Sequence, residues 1–142
     1  MNQMNKMLIT LSNNLAEIEK LASAVMQFGK ENSLSDKDIF DINLALEEIV
    51  NNIISYGYKD NNEHHINIHL ELEGAQLELR VEDDGIPFNP LEVPEPDINK
   101  PLKEREPGGL GLFFVRNLTD KLEYKRDQDK NIFIMKKKIQ NN

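Results

Sequence analysis

The feature that most constrains the fold is a stripe of apolar residues in the first half of the chain. Its members recur at steps of three and four, namely Ile39, Ile42, Leu46, Ile49 and Ile53. That is the period of a helix that buries one face against a core. Ser35 with Asp38 is typical of a helix N-terminus, and Gly57 is typical of an end. The sequence therefore predicts one long central helix between Ser35 and Gly57.

Two polar side chains lie at the border of this apolar stripe. At about 100° per residue, Glu48 and Asn52 fall one step beside the stripe, whereas Glu47 and Asn51 fall roughly 200° away and face water. Residues four apart on a helix have β-carbons about 5–6 Å from each other. Glu48 and Asn52 can therefore share a metal, a water or a phosphate, or they are only an edge carboxylate and its polar neighbour.

The rest of the chain predicts a second layer made of strands. Hydrophobic residues alternate with polar ones in segments separated by turn residues, which is typical of half-buried strands. The predicted order is β-α-α-β-β-(lid)-α-β-β, an α+β fold with helices packed on one face of a largely antiparallel sheet, in one domain over residues 1–142. The segments are a strand at 4–11, a helix at 15–32 capped by Asn14 with Glu17, the central helix, strands at 66–72 and 77–81, a helix after Gly109, and strands at 122–126 and 131–138.

Composition excludes several classes of function. The chain has 17 basic and 25 acidic residues, a net charge of −8, and no basic face, so a nucleic acid or an anionic membrane is not an expected partner. Cysteine is absent, which excludes disulfides, thiolate metal sites and cysteine catalysis. No signal peptide and no apolar run of membrane-spanning length is visible, which predicts a cytoplasmic protein.

A long irregular loop separates the predicted hairpin from the third helix. All six prolines lie between residues 85 and 109. Loops of this length in a compact domain are usually lids or binding loops, so residues 86–107 or so are predicted to form a lid. Asp83-Asp84-Gly85 precedes the loop, and Gly108-Gly109-Leu110-Gly111 ends it where a helix begins.

These loop borders offer groups that suit a nucleotide. A strand-end carboxylate such as Asp83 suits an exocyclic amine such as that of adenine, and an asparagine oxygen suits Mg²⁺. A glycine-rich turn at a helix N-terminus suits an anion. Neither the P-loop pattern nor a dinucleotide fingerprint is present. The acidic neighbour Asp84 is predicted to face solvent.

Three histidines invite a metal interpretation, which the sequence does not favour. His65 and His69 lie on the strand face opposite the apolar residues, and no carboxylate stands at a suitable spacing from the three. His64, His65 and His69 are therefore predicted to be solvated surface residues.

Three motifs together resemble a known superfamily. The motifs E-x-x-x-N-x-x-x-Y-x-Y, D-x-G-x-P-F-N-P and G-G-L-G-L-x-x-V occur in the order and separation of the GHKL ATPases. Within that superfamily, the chain resembles the anti-sigma factor serine-protein kinases, small single-domain proteins, over nearly its whole length. The resemblance implies a Bergerat-type α/β sandwich that binds ATP with Mg²⁺.

The resemblance also implies a role for each motif residue. Glu48 would be the general base, Asn52 would hold Mg²⁺, and Asp83 would bind the adenine amino group. The nucleotide-binding motifs would further include Gly85, Gly109 and Gly111. Apart from the resemblance, the predicted lid carries the basic residues Lys100, Lys103 and Arg105, of which Arg105 is the one expected to fold over the γ-phosphate when the lid closes. Tyr56 stands where many relatives have histidine and Asn89 where aspartate is frequent, which loosens the assignment to a subfamily.

The function implied by the resemblance has three rivals. The expected function is phosphorylation of an anti-anti-sigma antagonist on serine or threonine, together with sequestration of a sigma factor. The rivals are a switch module that binds ATP and a partner without phosphorylating it, the catalytic domain of a histidine kinase, and a plain structural domain. Retention of Glu48 favours catalysis, because binding alone needs only the asparagine and the glycines. The sequence does not decide the oligomeric state, and both a monomer and a homodimer are compatible with it.

Overall fold

The computed structural model describes residues 5–89, 92 and 115–139. The expected order of strands and helices is present in these segments. The elements are β1 (Asn5–Ser12), α1 (Ile18–Glu31), α2 (Asp36–Tyr56), β2 (His65–Glu73), β3 (Gln76–Asp83), β4 (Lys121–Asp127) and β5 (Lys130–Lys138). A short helical turn at 115–118 precedes β4.

The five strands form one antiparallel sheet in the order β1-β2-β3-β5-β4. The central strand β3 pairs with β2 and with β5, so that Leu79 lies between Leu70 and Met135. Strand β5 lies between β3 and β4. Its start is therefore beside the end of β3, where Asn131 is the partner of Asp83. The α+β fold class predicted from the sequence is confirmed.

The core lies between the helices and one face of the sheet. All five members of the predicted α2 stripe are buried. They belong to the same cluster as the inward residues of the central strands, Ile66, Ile68, Leu70, Leu77, Leu79 and Val81. Full burial of one such side chain is worth about 1.5–3 kcal/mol, so this layer provides much of the driving force for folding.

Both ends of α2 carry the caps that the sequence predicts. The Ser35 hydroxyl accepts a hydrogen bond from the backbone N–H of Asp38 at 3.0 Å. At the other end, the N–H of Gly57 donates to the carbonyl of Ile53 at 2.8 Å. These bonds satisfy backbone groups that helix ends leave without partners.

The start of α1 differs from the prediction. A 3-10 turn, Leu15–Glu17, precedes the α-helix, which begins at Ile18. Asn14 does cap this turn by accepting from the N–H of Ala16. The Glu17 carboxylate, however, accepts from the backbone and hydroxyl of Ser12 and not from Asn14, so the predicted capping box is wrong. These hydrogen bonds from Ser12 to Glu17 instead connect the turn to the end of β1.

Part of the predicted lid and third helix falls outside the described residues. Only 115–118 of that helix is described, and it ends where the Thr119 hydroxyl donates to the carbonyl of Val115 at 2.8 Å. Arg105, Gly109 and Gly111, with most of the predicted lid, lie outside the described segments. Within those segments, no helix has the length and apolar character that crossing a membrane requires.

Candidate nucleotide site

Helix α2 presents Glu48 and Asn52 from the border of its buried stripe. Asn52 is 6% exposed, and Glu48 is half-buried. Glu47 and Asn51 are also half-buried and do not lie fully in water as predicted. Glu47 is held on the helix surface by the Asn43 side chain, which donates to its carboxylate at 3.4 Å.

The surroundings of Glu48 favour its protonated form. Burial raises the pKa of Glu48, and the negative charge of Glu47 acts in the same direction. A hydrogen bond from Asn52 opposes both and lowers the pKa, but burial is the larger effect. A carboxylate with a raised pKa is a stronger base, which suits a group that takes a proton near neutral pH.

Asp83 lies at the end of β3 with its side chain directed inward. The inner face of β3 carries Leu77, Leu79 and Val81, and Asp83 continues this alternation, so its carboxylate is 5% exposed. Its Oδ1 accepts from the backbone N–H of Gly85 at 2.8 Å and from Asn131 Nδ2 at 3.0 Å. Burial raises the pKa of Asp83, while these two hydrogen bonds lower it.

Gly85 is required by a close approach between two backbone segments. The N–H of Ile86 donates to the carbonyl of Gly57 at 2.8 Å, joining the end of β3 to the end of α2. A Cβ on Gly85 would overlap the Gly57 carbonyl oxygen and lie 2.9 Å from Asp83 Oδ1. Glycine is the residue that allows this approach without moving either segment.

The hydrogen bond between Gly57 and Ile86 brings together two of the three predicted nucleotide-binding motifs. Asn52 precedes Gly57 by five residues, or about 7.5 Å along the helix axis. Glu48 lies one further turn away. Asp83 and Gly85 therefore meet the C-terminal end of the helix that carries Glu48 and Asn52. The two glycines of the third motif, Gly109 and Gly111, and Arg105 lie outside the described residues, so their predicted roles stay predictions.

Three residues of the closing hairpin belong to this region, and the sequence did not single them out. Asn131 contacts Asp83, the Tyr124 hydroxyl donates to Asn131 Oδ1 at 2.5 Å, and Arg126 Nη1 donates to the carbonyl of Gly85 at 2.9 Å. Asn131 follows Asp83 by 48 positions. No local pattern marks such a pairing. The available signal was a polar residue directly before the apolar run 132–135.

His64 corrects the prediction that the histidines are solvated. The ring is half-buried and stacks on Tyr58 with 4.3 Å between centroids. Nε2 lies 2.7 Å from Asp60, and Nδ1 lies 3.1 Å from Asp84. These contacts raise the pKa of His64, with the Asp60 hydrogen bond as the largest cause. Asp84 is therefore exposed, as predicted, yet paired.

The other two histidines differ from each other. His65 is exposed, as predicted. His69 is half-buried, and its Nε2 lies 4.0 Å from the Glu82 carboxylate. Across the described residues, no group of three or more histidines and carboxylates is placed to hold a metal ion.

Comparison with known proteins gives a family match and several relatives. The chain matches the family described as histidine kinase-like ATPase domain over residues 11–137. It is 31% identical over 103 residues to the serine-protein kinase RsbW of Bacillus mycoides, covering 70% of this chain and 64% of that protein. It is 28% identical over 87 residues to the serine/threonine-protein kinase BtrW of Bordetella bronchiseptica, covering 61% of each. The chain thus spans a little under two thirds of these relatives.

Two solved structures share the fold. A Mycobacterium tuberculosis protein with RsbU and RsbW domains superposes with a TM-score of 0.71 at 16% identity, over 97% of this chain and 33% of that one. The histidine kinase AdeS of Acinetobacter baumannii gives a TM-score of 0.51 at 22% identity, over 98% of this chain and 70% of that one. From the family match over most of its length, supported by the fold, the chain belongs to the histidine kinase-like ATPase domain family.

Proposed function

We propose that the protein is a cytoplasmic serine/threonine-protein kinase that binds Mg-ATP, phosphorylates an anti-anti-sigma antagonist and sequesters a sigma factor. The observation that carries the proposal is the bond between Ile86 N–H and the Gly57 carbonyl, which sets the strand-end carboxylate against the helix of Glu48 and Asn52. Relatives named as serine-protein kinases support the choice of reaction.

Asp83 is suited to bind the base of the nucleotide. Gly85 and Asn131 occupy its Oδ1. Neither of these two donors bonds the second carboxylate oxygen, Oδ2. A carboxylate oxygen only accepts hydrogen bonds when ionised, so Oδ2 is suited to an N–H donor of a ligand. The exocyclic amine of adenine is such a donor.

The donor atoms on α2 fit Mg²⁺. This ion prefers oxygen ligands, keeps several waters, and takes one or two protein ligands beside the phosphates. Asn52 offers an amide oxygen from a rigid, buried position, and Glu48 lies one turn away. Asn52 is therefore the proposed ligand. Bound Mg²⁺ would supply charge neutralisation on the phosphates.

Glu48 is suited to accept the proton of the substrate hydroxyl. Phosphoryl transfer depends mostly on positioning and charge stabilisation, with one residue orienting or deprotonating the attacking group. The half-buried carboxylate, whose pKa burial raises, can take that proton. The proposal makes Glu48 the base and leaves Glu47, on the neighbouring face, without a role in the reaction.

Phosphoryl transfer from radiolabelled ATP to candidate anti-anti-sigma proteins tests this proposal. Glu48→Gln keeps the size and hydrogen bonding of the side chain but cannot accept the proton. We expect near-normal ATP affinity and transfer slowed by about 10²–10⁴-fold. Glu47→Gln is the matched control and should transfer at the wild-type rate.

Two outcomes would contradict the assignment. Wild-type transfer by Glu48→Gln to a verified partner would place the base elsewhere. A wild-type protein that binds ATP and a partner but phosphorylates none would favour the switch module.

A further inference from the structure

Asn131 is a buried polar residue that the proposed reaction does not use. It is 4% exposed and lies at the start of β5, opposite Asp83 in the sheet. Its amide makes four hydrogen bonds. Nδ2 donates to Asp83 Oδ1 at 3.0 Å and to the Ile86 carbonyl at 2.8 Å, while Oδ1 accepts from the Tyr124 hydroxyl at 2.5 Å and from the Phe88 N–H at 3.3 Å.

These partners determine which way the Asn131 amide faces. The backbone N–H of Phe88 can only donate, so the atom facing it must be the amide oxygen. The carbonyl of Ile86 can only accept, so the atom facing it must be the nitrogen. Asn131 therefore presents an N–H to Asp83. A flipped amide would place its N–H₂ against the Phe88 N–H and its oxygen against the Ile86 carbonyl.

The N–H of Asn131 determines what Asp83 can offer a ligand. Two donors, from Asn131 and Gly85, meet at Oδ1 and stabilise the ionised carboxylate against the effect of burial. The carboxylate is held in one orientation, and Oδ2 is the oxygen that neither of these donors bonds. A base with an N–H at that point is bound, and a base with a carbonyl oxygen there is repelled.

We propose that Asn131 is a positioning residue that makes the site selective for a base bearing an exocyclic amine over a base bearing a carbonyl at the same position. The inference rests on the proposed function, because it concerns the site assigned there to adenine. Asn131 acts through Asp83 and need not touch the nucleotide itself.

Asn131→Asp tests the proposal, with calorimetric Kd values for Mg-ATP and Mg-GTP between pH 6 and pH 8.5. The new carboxylate faces Asp83 and cannot donate, and two ionised carboxylates at this distance repel each other. At pH 8.5 we expect the affinity for Mg-ATP to fall by about 10- to 100-fold, the range for a buried hydrogen bond to a charged group. As the pH falls and the pair shares one proton, the affinity should recover, whereas that of the wild type should change little.

The second expected change is in selectivity. When the pair shares a proton, Asp83 can also donate, so the preference for Mg-ATP over Mg-GTP should narrow. The matched control is Asn67→Asp, which adds the same charge on β2, where the side chain bonds Thr10 and not Asp83. It should keep the wild-type preference and pH profile.

The outcomes separate this inference from the proposed function. A wild-type protein that binds neither nucleotide overturns the proposed function. A wild type that binds Mg-ATP, with Asn131→Asp unchanged in affinity, preference and pH profile, overturns the role of Asn131 alone. If circular dichroism shows that Asn131→Asp is unfolded, Asn131→Ser is measured instead. Its hydroxyl is too short to bridge Asp83 and Ile86, so the preference for Mg-ATP should narrow, and an unchanged preference overturns the proposal.

Discussion

The backbone N–H of Ile86 donates to the carbonyl oxygen of Gly57 at 2.8 Å, across the junction between the sheet and the helix layer. The bond joins the residue that ends α2 to the segment that follows β3. Because Gly85 lies directly against the same carbonyl, the space between the two segments has no room for a Cβ. The geometry of the candidate site therefore depends on a residue that offers no side chain.

Gly85→Ala should weaken both folding and nucleotide binding. The added Cβ overlaps the Gly57 carbonyl oxygen and approaches Asp83 Oδ1, so the two segments must separate. Overpacking of this kind costs about 1–3 kcal/mol in the free energy of unfolding. We expect a lower Tm and a loss of the further rise in Tm that Mg-ATP produces.

Gly74→Ala is the control for that variant. Gly74 has φ +60°, and no atom lies within 4 Å of the position that a Cβ would occupy, so alanine there strains the backbone without a clash. It should lower the Tm of the apo protein and leave the rise with Mg-ATP intact. A full ligand-induced rise in Gly85→Ala would show that the Gly57–Gly85 approach does not shape the site.

His64 should make stability depend on pH. Both ring nitrogens face carboxylates, of Asp60 and Asp84, and only the imidazolium can donate to both. The pKa of His64 is raised in the folded state, so its contribution is fully present below about pH 6.5, where the unfolded chain is also protonated. The contribution is lost as the pH rises through the folded-state pKa.

Thermal melting of His64→Gln between pH 5.5 and pH 8.5 measures this effect. The difference in Tm from the wild type should be largest at pH 5.5 and should shrink as the pH rises. His65→Gln, at the exposed neighbour, should show no such trend. A difference in Tm for His64→Gln that is constant across this range would rule out the ion pairs as its source.

Local patterns in the sequence sufficed to predict most of the helices and strands and the positions of three candidate residues within them. The α2 stripe has helical period and capped ends, so its length and buried face could be predicted, and Glu48 and Asn52 followed as border residues. The alternation along β3 likewise placed Asp83 at the end of a strand. Each of these inferences needed only neighbours within a few turns or strand positions.

The contacts of His64 and Asn131 that the sequence did not reveal join distant parts of the chain. His64 meets Asp84 20 positions later, and Asn131 meets Asp83 across 48 positions. Both pairings exist because the sheet order places β5 beside β3 and the α2–β2 connection beside the end of β3. A pattern read within one segment cannot show which side chain a second segment will supply. The error at Glu17 is local, since Ser12 lies only five positions away and its backbone N–H and hydroxyl donate to the carboxylate that the predicted capping box paired with Asn14.

Calorimetric titration of Mg-ATP into the wild type, Asp83→Asn and Asn52→Ala tests the central claim most directly. Asn at position 83 can still accept from Gly85 and Asn131, but its amide N–H₂ replaces the Oδ2 acceptor, so the adenine amine meets a donor. Because burial raises the pKa of Asp83, its ionised form costs stability as the pH rises above the unfolded-state value, and Asp83→Asn should melt no lower than the wild type at pH 7.

We expect the wild type to bind one Mg-ATP and to melt at a higher temperature when bound. Asp83→Asn and Asn52→Ala should each lose about 100-fold or more in affinity while remaining folded, since each removes a buried polar contact to the ligand. A wild-type protein that gives no binding heat and no change in Tm with saturating Mg-ATP would contradict the account.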